Sequence, residues 1–470
     1  MKFLVNDTIA AISTPIGESG IGIIRISGPK TLEIAQKVFR DKNLNKTKIN
    51  NFFSHTVHYG FVINPESGEK IDEVILVLMK RPQTYTREDT VEFNCHGGIL
   101  SLRKVLETVI NYGARMAEPG EFTKRAFLNG RIDLSQAEAV IDLIQAKTER
   151  SLSSSLAQLK GNLKEKIINL REKVVRITAD IEAPMDFPDQ DIEELDSTEI
   201  QNRIKNILEE ISSLLETLDY GKILKEGINT IIVGKANVGK SSLFNTLLRE
   251  NRAIVTHLPG TTRDTIEELI NLKGIAFKII DTAGFKTPEN VIEKISLERM
   301  RKYLDKAELI LTMFDANTTI SEEDMKVIRE INREKERNKK VITIENKIDL
   351  EEKIERQKLF ELLNIKDDIR ISLKDQIGIE QLEEELTENV FNGIVIPQNG
   401  VIINNIRQAE ALKRAKLGLK YLLEGTKKKI PHDLLTVDLK EVLDSLGEIT
   451  GDSVSDEIIN NIFSRFCIGK

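Results

Sequence analysis

The chain has 470 residues, of which 40% are hydrophobic and 30% are charged, an ordinary composition for a globular protein. At roughly 150 residues per domain, this length predicts about three domains. A net charge of -7 means that the field of the whole protein does not attract nucleic acid. No stretch reaches the ~20 apolar residues that span a bilayer. The two cysteines lie far apart in sequence and predict neither a disulfide framework nor a metal site, so we expect a cytoplasmic protein without a membrane segment.

Residues 1–119 are rich in β-branched residues and glycine, and they predict an α+β domain. Strands are expected at 21–27, 57–63 and 71–79, with turns at 64–68 and 97–98. From about residue 120 the pattern becomes helical. Apolar residues at spacings of three and four predict one long amphipathic helix from Leu152 to Ile181. Ala183-Pro184 and Phe187-Pro188 should then end it, because proline lacks an N–H donor and clashes with the preceding turn.

Strand and helix patterns alternate between about 221 and 384, which is typical of a parallel sheet with crossover helices. Helical patterns lie on both sides of this block, and neither forms a convincing bundle alone. We therefore predict a GTPase-type α/β domain over 221–384, inserted in a helical domain made of 120–220 and 385–470.

The segment Gly234-Lys235-Ala236-Asn237-Val238-Gly239-Lys240-Ser241 fits the phosphate-loop pattern and lies between a predicted strand and a predicted helix. The glycines let backbone N–H groups approach the β-phosphate. Lys240 would neutralise the β- and γ-phosphate oxygens, and the Ser241 hydroxyl would bind Mg²⁺. The start of the helix adds its positive end to the same site.

Three further segments follow in the order that a GTPase requires. Residues 260–265 offer a threonine hydroxyl for Mg²⁺, and Asp281-Thr282-Ala283-Gly284 follows a strand and would approach the metal and the γ-phosphate. Asn346-Lys347-Ile348-Asp349 follows the next predicted buried strand. The Asp349 carboxylate can accept hydrogen bonds from both N1–H and the exocyclic amine of guanine, and adenine lacks this donor pair. The sequence therefore predicts a P-loop, Ras-like domain that is specific for GTP.

Two basic stretches could contact RNA in spite of the negative net charge. The first is Arg407, Lys413, Arg414 and Lys416 on one predicted helix, and the second is the run 427–429. Basic residues are also the default on protein surfaces, so a solvated helix face and a solvated loop remain the alternatives.

Over its whole length the chain resembles the MnmE (TrmE) family of tRNA-modification GTPases. The resemblance rests on residues 6–11, 20–28, His96-Gly97-Gly98, 119–123 with 125–130, and the closing Phe466-Cys467-Ile468-Gly469-Lys470. It implies an N-terminal folate-binding and dimer-forming α+β domain, a central helical domain and an inserted GTPase domain.

The residue after Gly284 is Phe285, which cannot orient the attacking water as the glutamine of many small GTPases does. The resemblance implies that K⁺ replaces an arginine finger when two GTPase domains dimerise, and that Glu293 orients the water. It places K⁺ on Asn237, Thr256, Leu258 and Thr261, and Mg²⁺ on Ser241 and Thr262. The full nucleotide-binding set would be Asn237, Gly239, Lys240, Ser241, Ser242, Thr256, Thr261, Thr262, Asp281, Gly284, Asn346, Lys347, Asp349, Ser372 and Lys374.

The resemblance also implies that 5-formyltetrahydrofolate, or a related folate, binds at Arg25, Glu92, Arg131 and Lys470. A carboxylate suits the paired donors of a pterin, and a basic side chain suits the glutamate tail of the folate. Each of these residues judged singly reads equally as a member of a surface ion pair. Cys467 is either a reactive thiol or a small buried hydrophobic residue.

The implied reaction adds an aminomethyl-type (carboxymethylaminomethyl) group at C5 of the wobble uridine of certain tRNAs, with glycine or ammonium as the amine donor. Its implied partners are a second copy of the chain, the flavoprotein MnmG in a heterotetramer, and tRNA. Three positions depart from the family pattern, namely Pro259 in the potassium loop, Glu345 before Asn346, and Leu373 in the base-supporting loop.

Two other functions are compatible with parts of this pattern. One is a regulatory or ribosome-assembly GTPase without modification chemistry, which the phosphate loop alone does not exclude. The other is a folate-binding module with a degenerate nucleotide domain, against which the intact Lys240, Ser241, Asp281 and Asp349 argue.

Overall fold

The computed structural model describes residues 7–186, 197–251, 267–281, 301–391, 400–428 and 430–470. The chain divides into two compact units. The first comprises residues 1–141, 164–171 and 443–470, and the second comprises 142–163 and 172–442. This division does not test the predicted boundaries near 119, 220 and 384, which stay predictions that limited proteolysis can check.

A mixed sheet organises the first unit, with its strands in the order β3-β4-β5-β6-β2-β1-β7. All neighbours are antiparallel except β1 and β7, which are parallel. The three strands expected from the sequence correspond to β2, β4 and β5. The strands are β1 Ile9–Ile12, β2 Gly22–Ser27, β3 Phe39–Asp41, β4 Thr56–Ile63, β5 Lys70–Met79, β6 Thr90–Cys95 and β7 Arg115–Met116.

One face of this sheet is covered by helices, and the other is covered at β1 by Phe122 of the next helix but exposes apolar residues on β4 and β5. Alternate apolar residues such as Ile24, Ile26 and Phe93 form a core beneath helices α1 (Thr31–Val38) and α2 (Ile99–Asn111). On other strand positions Val57 and Tyr59 stay exposed. The period-two pattern thus places one set of side chains in the core and leaves apolar residues on the outer surface.

The C-terminal residues lie against the start of α3 (Glu121–Leu128). The N–H of Gly120 donates to the Cys467 carbonyl at 3.3 Å, and the N–H of Phe122 donates to the Lys470 carbonyl at 3.2 Å. These bonds hold the last residues of the chain against α3, and the Gly469 carbonyl also accepts from Arg25 of β2 at 3.2 Å.

The second unit contains a six-stranded sheet in the order β13-β12-β11-β8-β10-β9, parallel except for β9. β11 is buried at every position and is the central apolar strand, as a parallel sheet covered on both faces requires. The strands are β8 Ile228–Val233, β9 Glu267–Leu272, β10 Ile275–Asp281, β11 Leu309–Asp315, β12 Lys340–Asn346 and β13 Ile369–Ile371. The predicted alternation of strands and helices is confirmed here.

Helices cover both faces of this sheet. One core contains Leu243, Phe277 and Leu311, and the other contains Ile310 and Ile328. The helices of this part of the chain are α9 Lys240–Asn251, α10 Glu322–Glu336, α11 Arg356–Leu363 and α12 Ile379–Phe391.

The remaining helices correct one expectation. The single helix predicted from Leu152 to Ile181 is two helices, because Gly161 adopts a left-handed conformation (φ 101°) that ends the first. The second runs to Asp186, so Pro184 does not end it, and the other expected break at Pro188 lies outside the described residues. These helices are α4 Leu134–Gln145, α5 Glu149–Lys160, α6 Asn162–Asp186, α7 Ser197–Glu216, α8 Leu218–Glu226, α13 Ile406–Lys427, α14 His432–Thr450 and α15 Asp456–Phe463.

A buried ion cluster, which the sequence did not indicate, stabilises the first unit. The guanidinium of Arg125 is 2% exposed and binds Asp7 at 2.7 Å, Glu121 at 2.9 Å and Glu88 at 3.1 Å. Buried charges need such compensation because their desolvation is costly.

Arg125→Met should therefore destabilise the first unit by about 3 kcal/mol or more, because the largely buried Glu88 loses its cation and Glu121 keeps only the half-exposed Arg115. Hydrogen exchange of the β2 and β6 amides would measure the loss of stability. Arg103→Met is the matched control, since it breaks an exposed pair with Glu107 and should cost no more than about 0.5 kcal/mol. Equal effects of the two substitutions would contradict a stabilising role for the cluster.

Candidate nucleotide and folate sites

The phosphate loop joins β8 to α9 at the carboxyl end of the parallel sheet, where ligands of such sheets bind. Asn237 and Gly239 adopt positive φ angles of 59° and 110°. A Cβ on Gly239 would lie 2.3 Å from the Asn346 side-chain nitrogen, so only glycine fits there. The local sequence therefore produces the tight turn that a phosphate cradle needs.

Two lysines of the loop are held by short hydrogen bonds. The ammonium of Lys240 donates to the carbonyls of Gly234 at 2.9 Å and Lys235 at 2.7 Å. Lys235 donates to Asp324 at 2.8 Å and to Thr318 at 2.9 Å. Asp324 is also part of the capping box at the start of α10. Sequence reasoning missed the Lys235–Asp324 ion pair, because the Ser321-x-x-Asp324 capping pattern signals only the start of a helix.

Asn346 connects the phosphate loop to the segment after β13. Its side-chain N–H donates to the Val238 carbonyl at 2.7 Å, and its side-chain oxygen accepts from the Leu373 N–H at 3.3 Å. The departure at Leu373 leaves this backbone contact in place, and its side chain packs on the core. One buried amide thus fixes two loops relative to each other.

The neighbouring side chains are also held in place. Ser372 is fully buried, accepts from the Asp375 N–H at 3.1 Å and donates to Asp349 at 2.8 Å. The Lys347 ammonium donates to Asp315 at 2.5 Å. The structure thus brings together Asn346, Lys347, Asp349 and Ser372 as the sequence predicted, with Lys374 exposed beside them.

Of the other predicted nucleotide-binding residues, the structure describes some and leaves others outside the described part of the chain. Asn237, Ser241 and Ser242 are exposed at the loop and the first turn of α9. Asp281 ends β10, next to β8 in the sheet. The residues Thr256, Leu258, Thr261, Thr262, Gly284 and Glu293 lie outside the described part of the chain, as do Pro259 and Phe285. Within the described residues no cluster of histidine, cysteine, aspartate and glutamate could hold a metal ion.

The predicted folate residues lie in the first unit, on or next to β2 and β6. Arg25 donates to Glu92 at 2.7 Å across these strands, and it donates to the Gly469 carbonyl at 3.2 Å. The backbone of Lys470 is held by α3, so the end of the chain lies beside this ion pair. Cys467 is exposed, which contradicts its reading as a buried hydrophobic residue.

Arg131 approaches the same region through an aromatic ring that the sequence analysis missed. Its guanidinium lies 4.7 Å from the centre of the Tyr85 ring, and the Tyr85 hydroxyl is 2.9 Å from the Thr123 hydroxyl. Burial raises the pKa of the Tyr85 phenol, against the smaller opposing effects of Thr123, Arg131 and Arg25. Arg25 itself lies 5.6 Å from the Phe122 ring. The site therefore combines an acid, two guanidiniums and two aromatic rings.

The basic helix predicted for RNA contact is α13. Lys413 and Arg414 are exposed on it, while Arg407 and Lys416 are half-buried. None of the described helices is long and apolar enough to cross a membrane.

Comparison with known proteins covers nearly the whole chain. The family described as "GTP-binding protein TrmE N-terminus" matches residues 8–131, and the "MnmE helical domain" family matches residues 134–467. Among solved structures, the G domain of the FeoB iron transporter of T. maritima is 28% identical over 34% of this chain and 98% of that chain, with a TM-score of 0.26.

Curated relatives align from end to end. The tRNA modification GTPase MnmE of Alkaliphilus oremlandii is 46% identical over 99% of this chain and 100% of its own length. The proteins of the same name from Desulforamulus reducens and Staphylococcus aureus are 47% and 43% identical, each over 99% of this chain. The predicted combination of an α+β N-terminal domain, a helical domain and a P-loop domain agrees with these matches. The chain belongs to the MnmE family of tRNA modification GTPases.

Proposed function

We propose that this protein hydrolyses GTP and, together with the flavoprotein MnmG, modifies the wobble uridine of certain tRNAs. The observation that carries the GTPase part is the junction at Asn346, which joins the phosphate loop to the segment that contains Ser372. Such a junction couples recognition of the base to the position of the phosphates. Family membership supports the tRNA part.

Guanine recognition is assigned to Asp349. Ser372 donates to one of its carboxylate oxygens and so fixes the plane of the carboxylate. A carboxylate has enough lone pairs to accept also from N1–H and from the exocyclic amine of guanine. Since Lys347 is held by Asp315, its ammonium is already neutralised beside the base site.

Asp349→Asn should weaken GDP binding on the order of a hundredfold, because two hydrogen bonds to a charged acceptor are lost. The same substitution should favour xanthosine diphosphate, whose C2 oxygen can accept from the new amide. Titration with both nucleotides would measure the change in preference. Asp305→Asn, which alters an exposed carboxylate paired with Arg337, is the control and should leave both affinities unchanged. An unchanged base preference in Asp349→Asn would contradict the assignment.

Mg²⁺ and K⁺ are proposed at the phosphate loop. The hydroxyl of Ser241 lies at the first turn of α9, where it can bind Mg²⁺ beside the phosphates. The exposed Asn237, held at φ 59°, offers a hard amide oxygen that suits K⁺. K⁺ bound there would supply positive charge that an arginine finger supplies in other GTPases. The remaining proposed ligands are Thr256, Leu258, Thr261 and Thr262.

GTP hydrolysis should be at least about tenfold faster in K⁺ than in Na⁺, because a charge placed at the transferring phosphate stabilises the transition state. Asn237→Ala should remove this difference with little loss of GDP affinity. Phosphate-release assays in the two salts would measure it, with Asn245→Ala on α9 as the control. Equal rates in both salts for the unaltered protein would eliminate the potassium mechanism.

A folate is proposed to bind near Arg25, Glu92, Arg131 and Lys470, supplying a one-carbon unit when bound. The acid, the guanidiniums and the nearby Tyr85 and Phe122 rings suit a flat heterocycle with an acidic tail. Homodimerisation is supported by the apolar residues that β4 exposes on the outer sheet face, where Val57 is 64% and Tyr59 is 51% exposed. The exposed Lys413 and Arg414 are the proposed tRNA contacts.

Cells that lack this protein should accumulate tRNA without the aminomethyl-type group at C5 of the wobble uridine. Nucleoside analysis of purified tRNA by mass spectrometry would measure the loss, and expression of the intact chain should restore the group. A chain with Arg25→Ala should fail to restore it while keeping GTP hydrolysis, because only the folate site is altered. Unchanged wobble uridines would favour a regulatory GTPase instead.

A further inference from the structure

A charged residue lies inside the sheet directly before Asn346. Glu345 is the penultimate residue of β12 and is fully buried, whereas its neighbours Ile342 and Ile344 on this strand are apolar. A buried carboxyl group is costly unless it is protonated or compensated. The position therefore needs a physical explanation.

Two guanidiniums and a second carboxyl group surround Glu345. The Arg356 Nε donates to Glu345 Oε1 at 3.3 Å, and the same guanidinium binds Asp368. The Arg370 Nε lies 3.5 Å from Glu345 Oε2. Arg370 also donates to the half-exposed Glu352 at 2.7 Å. The cluster thus joins the end of β12, the start of α11, the segment before β13, and β13 itself.

Each of the two carboxyl groups has one buried oxygen that receives no hydrogen bond from the described residues. Glu345 Oε2 and Asp368 Oδ2 are both buried without a hydrogen-bond partner among the described residues, and the Arg356 guanidinium binds both carboxyl groups, Glu345 through Nε and Asp368 through Nη2. A proton between them satisfies both oxygens. Burial, together with the neighbouring Asp368, raises the pKa of Glu345 to about 7.

The strand register connects this cluster to the base site. Glu345 pairs with Arg370, and Asn346 pairs with Ile371. Ser372 follows immediately and donates to Asp349. Any change in the spacing of β12 and β13 therefore changes the geometry between Ser372 and Asp349.

We propose that the carboxyl pair Glu345–Asp368, sharing one proton between Arg356 and Arg370, positions the segments that recognise guanine. The inference rests on the proposed role of Asp349 in binding guanine. It adds a positioning role for Glu345 at the end of β12 and Asp368 before β13. Loss of the proton places a second negative charge in the cluster, and repulsion between the carboxylates separates β12 from the segment before β13. Asp349 then loses the orientation that Ser372 gives it. The charged groups that face Glu345 are Asp368, Arg370 from β13 and Arg356 from α11, while its partner on β11 is the uncharged Phe314.

The test compares GDP with inosine diphosphate, which lacks only the exocyclic amine of guanine. The ratio of their dissociation constants reports the Asp349 contact, and effects of pH on the phosphates cancel in it. In the unaltered protein the preference for GDP should fall at least about threefold from pH 6 to pH 8, the size of a weakened hydrogen bond to a charged group. Glu345→Gln, which keeps a neutral donor toward Asp368, should hold the pH 6 preference across this range.

The control is Glu352→Gln, which removes the exposed carboxylate bound to the same Arg370 and should keep the pH dependence. Glu345→Leu is a second variant without a titrating group, and it too should show no pH dependence. A flat ratio in the unaltered protein, or a sloping ratio in both Glu345 variants, would overturn the proposal. If instead Asp349→Asn leaves base preference unchanged, the base assignment itself is wrong, so the two failures can be distinguished.

Discussion

The side chain of Asn346 makes the connection on which the nucleotide site depends. Its amide donates to the phosphate loop at Val238 and accepts from the Leu373 N–H, so two segments more than 100 residues apart share one buried hydrogen-bonding group. A buried amide of this kind has no alternative partner in water, and losing either bond leaves a polar atom unsatisfied. The position of the phosphate loop and that of the proposed base segment are therefore set together.

The sheet behind Asn346 determines how firmly that connection is held. β12 lies between β11 and the short strand β13, and the ion pairs of Glu345 add to the apolar pairing of Ile344 with Ile369 at its end. A cluster with two carboxyl groups and two guanidiniums is sensitive to protons in a way that an apolar strand end is not. Glu345, which departs from the family pattern in sequence, thus belongs to a buried cluster of charged residues in the structure.

Ion pairs between guanidiniums and carboxylates also occur in the first unit, in two different environments. The Arg125 cluster is buried and compensated, and it holds β1, α3 and the segment before β6 together. The Arg25–Glu92 pair is only partly buried and lies beside the last residues of the chain. Charges that are sealed from water must keep their partners, because an unpaired buried charge is costly, whereas charges that keep access to water remain available for a ligand.

The sequence by itself determined the phosphate loop, the Asn346–Asp349 segment and the parallel sheet, because each depends on local spacing and on strand and helix periods. It also indicated Glu345 as a departure from the family pattern, but it did not identify the partners of that carboxyl group. It was wrong about the helix from Leu152 to Ile181, because periodicity alone did not register the break that Gly161 makes. Only the tertiary structure joined Lys235 to Asp324, Arg131 to Tyr85, and Glu345 to Asp368. Partners far apart in the chain are chosen by strand register and burial, and neither can be read from local spacing.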